Sequence, residues 1–176
     1  MKQTELQQIL TEFAGDRLAL LERHEAGARV VSHYDFNNAY QYVINREEVQ
    51  LAWLQTALAE FGAALPPPSG AIAVPDVAKA LGKDHGKTRG KDQGQAFRGI
   101  LEDDGRHLAA CVERWRPRVA AMTHARHRIM LSVILGEARE HQRVFEQAAA
   151  GMEDLLGKRT GGVARQGAVL PSRWME

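Results

Sequence analysis

Apolar side chains recur at helical spacing along most of this chain. Leu6, Ile9, Leu10, Phe13, Leu20, Leu21 and His24 fall near one face, so residues 3–25 predict a first amphipathic helix, weakened by Gly15 and ending around Gly27. From Ala28 to Phe61 a proline-free helical period predicts a second helix of roughly 34 residues, about 50 Å long at 1.5 Å per residue. Asn37 and Asn38 are its weakest point. Ser32-His33-Tyr34-Asp35 is the alternative turn, which lengthens the first helix and shortens the second.

The period breaks over residues 62–95, at Gly62, Pro66-Pro67-Pro68-Ser69-Gly70, Pro75 and a Gly/Lys run, with room for a short helix at Asp76–Leu81. A third helix is expected from about Gln95 to Trp115, with Phe97, Ile100, Leu101, Leu108, Cys111 and Trp115 inward. Pro117 suits the first turn of a helix better than its interior, so a fourth helix is expected from there to about Met152. No stretch alternates apolar and polar residues long enough to argue a sheet. The expected fold is therefore all-α: a four-helix bundle over residues 1–156, made of two helical hairpins joined by a long crossover. Residues 157–176 read as an irregular C-terminal tail.

One position disturbs this pattern. Val43, Glu47, Gln50, Leu51, Leu54, Leu58 and Phe61 share one stripe, which places the Glu47 carboxylate where a helix should bury an aliphatic side chain. Ninety positions later the pattern returns, with Glu137 under Glu47, Glu140 under Gln50 and Val144 under Leu54. A buried carboxylate needs a partner, and a repeated one suggests a paired site.

Two hairpins, a long crossover and an inward Glu followed three residues later by a polar residue on the second and fourth helices resemble the ferritin-like superfamily, including its rubrerythrin-type members. That resemblance implies a pair of non-haem iron or manganese ions held in the bundle core by Glu-x-x-His on two helices and a lone Glu on each of the others. Carried onto this chain, it implies Glu47, Gln50, Glu137, Glu140 and His141 as metal ligands, with oxygen or peroxide activation or iron oxidation as the chemistry. Gln50 and Glu140 stand where the family has histidine, while His141, one residue further on, still shares a helix face with Glu137 at i, i+4. Oxygen donors in place of imidazole favour manganese, magnesium or calcium more than a histidine-rich site would. The ligands from the first and third helices depend on where the turns fall: Glu5, Gln8 or Glu22 opposite Glu47, and Gln95 or His107 opposite Glu137.

The same residues have a second explanation, a buried hydrogen-bonded network with Arg46, Tyr40, Tyr42 or Gln50 as partners and no metal. The protein would then be a non-catalytic helical-bundle interaction protein that has lost its metal site. Asp104-x-x-His107 with His124 and His127 forms a separate cluster, readable as an independent metal or acid/base site or as solvated helix-end histidines. A hydrolase bundle of the DinB type, built on those histidines, fits the crossover less well.

Charge and cysteine content narrow the partners. Lys plus Arg number 23 against 22 Asp plus Glu, which gives no field for a nucleic acid or an anionic membrane, and the arginines around position 116 are scattered by helical rotation. The single cysteine, Cys111, excludes an internal disulfide and a cysteine cage. The N-terminal stretch is polar and amphipathic, so a cytoplasmic protein is expected. Gly82-Lys83-Asp84-His85-Gly86-Lys87-Thr88 has one residue too few between its glycines for a phosphate-binding loop and no strand before it. Trp53 and Trp115 read as core or interface aromatics. Val169, Leu170, Pro171 and Trp174 in the tail suggest docking on a second copy, as in a homodimer, or on a partner protein.

Overall fold

A computed structural model describes residues 2–70, 72, 91–152 and 155–156, with the side chains of 91–96 excepted. It holds four helices: α1 (Gln3–Ala28), α2 (Tyr34–Ala59), α3 (Lys91–Ala120) and α4 (Ala125–Ala149). Among the described residues there is no strand. The all-α expectation is met, as is the division into two hairpins, α1–α2 and α3–α4, which pack more tightly within themselves than against each other.

Side-chain pairs fix the helix directions. Trp115 and Arg118 on α3 meet Asp16 and Glu12 on α1, so these two helices are antiparallel. Glu137 and Arg126 on α4 meet Gln50 and Glu60 on α2, so those two are antiparallel as well. The segment between α2 and α3 therefore joins opposite ends of the bundle, as a crossover must. Its first residues lie across α1: the Ser69 N–H donates to the Gly15 carbonyl at 3.1 Å, and Pro66, Pro67 and Ser69 surround the place where a Gly15 side chain would begin. The glycine that looks like a weakness in the helix is where the crossover passes.

Both turns depart from the primary expectation. The second helix does not start at Ala28; α1 runs to Ala28 and α2 begins at Tyr34, close to the alternative boundary. Val30 and Val31 N–H groups bond the Gly27 carbonyl, and Asn37 donates its amide to the Ala28 and Val31 carbonyls, so the turn is closed by hydrogen bonds. Pro117 lies inside α3 rather than opening the fourth helix. Proline removes one N–H and frees the Glu113 carbonyl, but Glu113 and Pro117 are exposed, so water can satisfy it while buried Trp115 and Val119 hold the helix in place. The chain turns instead at 121–124. The short helix expected at Asp76–Leu81 and the 157–176 tail lie outside the described residues.

The core is apolar at both ends and polar in the middle. Leu10, Phe13, Leu20, Leu54, Leu58, Leu101, Leu108, Trp115, Leu131, Ile134 and Phe145 are fully buried. Between them lie Asp16, Arg17, Arg23, His24, Glu47, Gln50, Asp104 and His141, all nearly inaccessible to solvent.

Candidate functional site

The polar layer forms because each helix offers its inner face a group that can satisfy another. Arg17, from α1, donates through Nη2 to Glu47 Oε1 at 2.9 Å and to Gln50 Oε1 at 2.8 Å. His24, seven residues further along α1, meets the other Glu47 oxygen through Nδ1 at 2.8 Å. Gln50 passes its amide to Glu137 Oε2 at 2.5 Å, and Arg46 binds the remaining Glu137 oxygen. The two repeated carboxylates thus share one network, linked through Arg17 and Gln50 rather than by direct contact.

A second branch continues on α3. Asp104 accepts from Arg23 Nε at 2.5 Å and from the Tyr40 hydroxyl, while Arg23 also reaches Asp103. Tyr40 can lie this close to α1 because Gly27 faces it: a Cβ there would be 2.7 Å from the Tyr40 oxygen. Trp115 Nε1 donates to Asp16 at 2.7 Å, and Arg114 reaches the same oxygen at 3.0 Å.

Burial and charge act against each other at Glu47, Glu137 and Asp104. Burial pushes the Glu47 carboxyl upward, but His24 and Arg17 outweigh it and hold the group below the usual carboxylate range. Glu137 is likewise raised by burial and lowered further by Arg46 and Gln50. At Asp104 the balance reverses: burial wins over His24, Tyr40 and Arg23, and the carboxyl is raised. Tyr40 is pushed well above the ordinary phenol by burial and by Asp104. His141 is held down to about 4, chiefly by burial, against the attraction of Glu47. Cys111 is buried beside Arg17, and burial raises its thiol. His141 and Glu47 are therefore a neutral imidazole and a carboxylate near pH 7.

The residues expected from sequence divide into two groups. Glu47, Gln50, Glu137 and His141 come to one level of the bundle. Glu140 is exposed, and His107 turns back to donate from Nδ1 to the Asp103 carbonyl, 2.8 Å away, on the α3 surface. Glu5 and Gln8 lie near the bundle end and Glu22 is exposed, so none of them stands opposite Glu47. Arg17 and His24 stand there instead. His24 has a sequence signal, since it closes the apolar face of the first helix; Arg17 has none, because an arginine flanked by Asp16 and Leu18 reads as solvated.

This donor set does not fit a di-iron or di-manganese centre. Arg17 places a fixed cation on one oxygen of Glu47, where a metal would have to bind, and the Gln50 oxygen is already engaged by the same guanidinium. Among the described residues no three His, Cys, Asp or Glu side chains converge in a manner that could hold a metal ion. What the layer does offer is charge neutralisation within the core. Comparison of the chain with protein-family models, curated proteins and solved structures finds no match.

Away from the core, α2 and α4 leave apolar side chains on their shared seam. Trp53 lies on the stripe of Arg46, Gln50 and Glu60, which reach α4, and Val133 lies on that of Arg126 and Glu137, which reach α2. Both are exposed, at 37% and 45%, and Val49 and Ile129 beside them at 41% and 61%. No described helix is long and apolar enough to cross a membrane.

Proposed function

We propose that this chain is a non-catalytic helical-bundle interaction protein of ferritin-like layout, in which a charge-balanced hydrogen-bonded layer stands in place of a metal centre. One observation carries the reading: the Arg17 guanidinium bridges Glu47 and Gln50, supplying from the chain itself the positive charge that a metal ion would bring. A fixed internal cation needs no loading and activates no oxygen, so the bundle serves as a rigid support. The apolar strip of Val49, Trp53, Ile129 and Val133 on the α2–α4 seam supplies the working surface. Its occupant in this reading is a second copy of the chain.

Two measurements test the two halves. Elemental analysis of untagged protein, followed by iron titration of the wild type and Glu47→Ala, is expected to give far less than one iron or manganese per chain. A stoichiometric metal that Glu47→Ala removes would restore the metal-binding reading. Sedimentation of the wild type and Trp53→Lys is expected to show a dimer that the substitution dissociates, whereas a wild-type monomer at micromolar concentration would overturn the choice of partner.

A further inference from the structure

A second group of chemistry-bearing residues lies at the end of the bundle where α2 finishes and α4 begins. His124 is the residue before α4 and His127 lies in its first turn, so their rings project from the same end of one helix. Their Nδ1 atoms are 2.8 Å apart. One of the two must therefore carry a proton and the other a lone pair directed at it. Opposite them, Glu60 Oε2 lies 3.8 Å from His127 Nε2, and Arg126 holds that carboxylate in place. Phe61 packs 6.0 Å from the His127 ring. Glu60, Phe61, His124 and His127 border a cavity of ≈ 470 Å³ that also touches Leu6.

His127 is only 2% exposed, and its Nε2 has no hydrogen-bond partner. The nearest acceptor to this buried nitrogen is Glu60 Oε2, so an N–H there is directed at that carboxylate and Nδ1 is left to carry the ring's lone pair.

We infer that His124 and His127 form a transition-cation site at this end of the bundle, with Glu60 orienting His127 from behind. The cation class is zinc, nickel, cobalt or copper in the divalent state, because a pair of imidazole nitrogens selects these metals over magnesium or calcium. In the bound form both Nδ1 lone pairs point at the ion, and the His127 Nε2–H turns to Glu60, the carboxylate–histidine–metal arrangement that fixes a ligating tautomer. A tetrahedral ion with metal–nitrogen bonds of roughly 2.0–2.1 Å holds two nitrogens about 3.3–3.4 Å apart. The pair must open by about half an ångström, and exposed His124 is the side chain able to move. Solvent on the cavity side completes the coordination. The site is independent of the polar layer in the core.

Equilibrium dialysis of untagged protein against zinc near neutral pH tests it. One zinc per chain is expected. His124→Ala, an exposed substitution whose folding is checked by circular dichroism, is expected to weaken binding by about tenfold or more, and Glu60→Gln by a lesser factor. His107→Ala should bind as the wild type does. Absence of zinc binding, or binding that persists unchanged in folded His124→Ala, would overturn the assignment.

Discussion

Arg17 and Glu47 meet at 2.9 Å with each side chain only 1% exposed, so neither charge can be relieved by water if the other is removed. Arg17→Met is therefore expected to cost about 3–5 kcal/mol, since it strands a carboxylate in the core. The double variant Arg17→Met/Glu47→Met should recover most of that loss, because the apolar pair no longer carries a desolvation penalty. Urea denaturation of the wild type and the two variants measures both effects.

The buried His141 sets a pH dependence. Its folded-state value of about 4 lies below the ordinary 6.5, so between the two the unfolded chain binds more protons than the folded one. Its contribution is thus complete above about 6.5 and declines as the pH falls toward 4. Lowered Glu47 and Glu137 lose their contributions only at still lower pH, below the ordinary carboxylate value of 4.5 and through their depressed folded-state values, while raised Asp104 acts in the opposite sense. His127 adds to the slope in the same direction as His141. Thermal melts from pH 7 to 4.5 should show a falling Tm, and His141→Asn should flatten the slope, by up to about 1.4 kcal/mol per pH unit.

Gly27 makes room for a ring. A Cβ at that position would approach the Tyr40 oxygen, Cζ and Cε1 to 2.7, 2.8 and 2.9 Å, and Tyr40 cannot withdraw without giving up Asp104. Gly27→Ala should therefore destabilise the fold by roughly 1–3 kcal/mol, although alanine is the better helix former. Guanidinium denaturation checks the sign, since a stabilised variant would mean that the ring moves freely.

Pro117 is the converse case. It sits in α3 on the exposed side, where its ring removes one helical hydrogen bond. Pro117→Ala is expected to stabilise the protein, by about 1–3 kcal/mol given the penalty for proline in a helix interior. A raised Tm with unchanged helical content is the expected result.

The helices were legible in the sequence because apolar spacing records burial directly. Glu47 could be singled out for the same reason, as a charge on an apolar stripe. The turns were less legible: Pro117 argued for a boundary that buried Trp115 and Val119 override, and the true turn at 29–33 was marked only by Ser32-His33-Tyr34-Asp35, the alternative to a turn near Gly27. Glu47's partners were hidden further. Arg17 and Asp104 each lie next to another charged residue in the chain, so periodicity cannot tell whether one turns inward, as Asp104 does beside Asp103, or both do, as Asp16 and Arg17 do. That depends on how α1 and α3 rotate against α2, which is a property of the packed bundle.

Leucine and valine surfaces tolerate sliding, since one apolar contact replaces another when a helix shifts along its axis. The polar layer does not. A shift of α1 by one turn, about 5.4 Å, would carry Arg17 away from Glu47 and Gln50 and, at the same time, Asp16 from Trp115 and Arg23 from Asp104. Because these bonds tie α1 to both α2 and α3, no single compensating movement of one neighbour restores them. The layer thus acts as an alignment key, selecting one axial setting of the helices among several that the apolar core alone would accept.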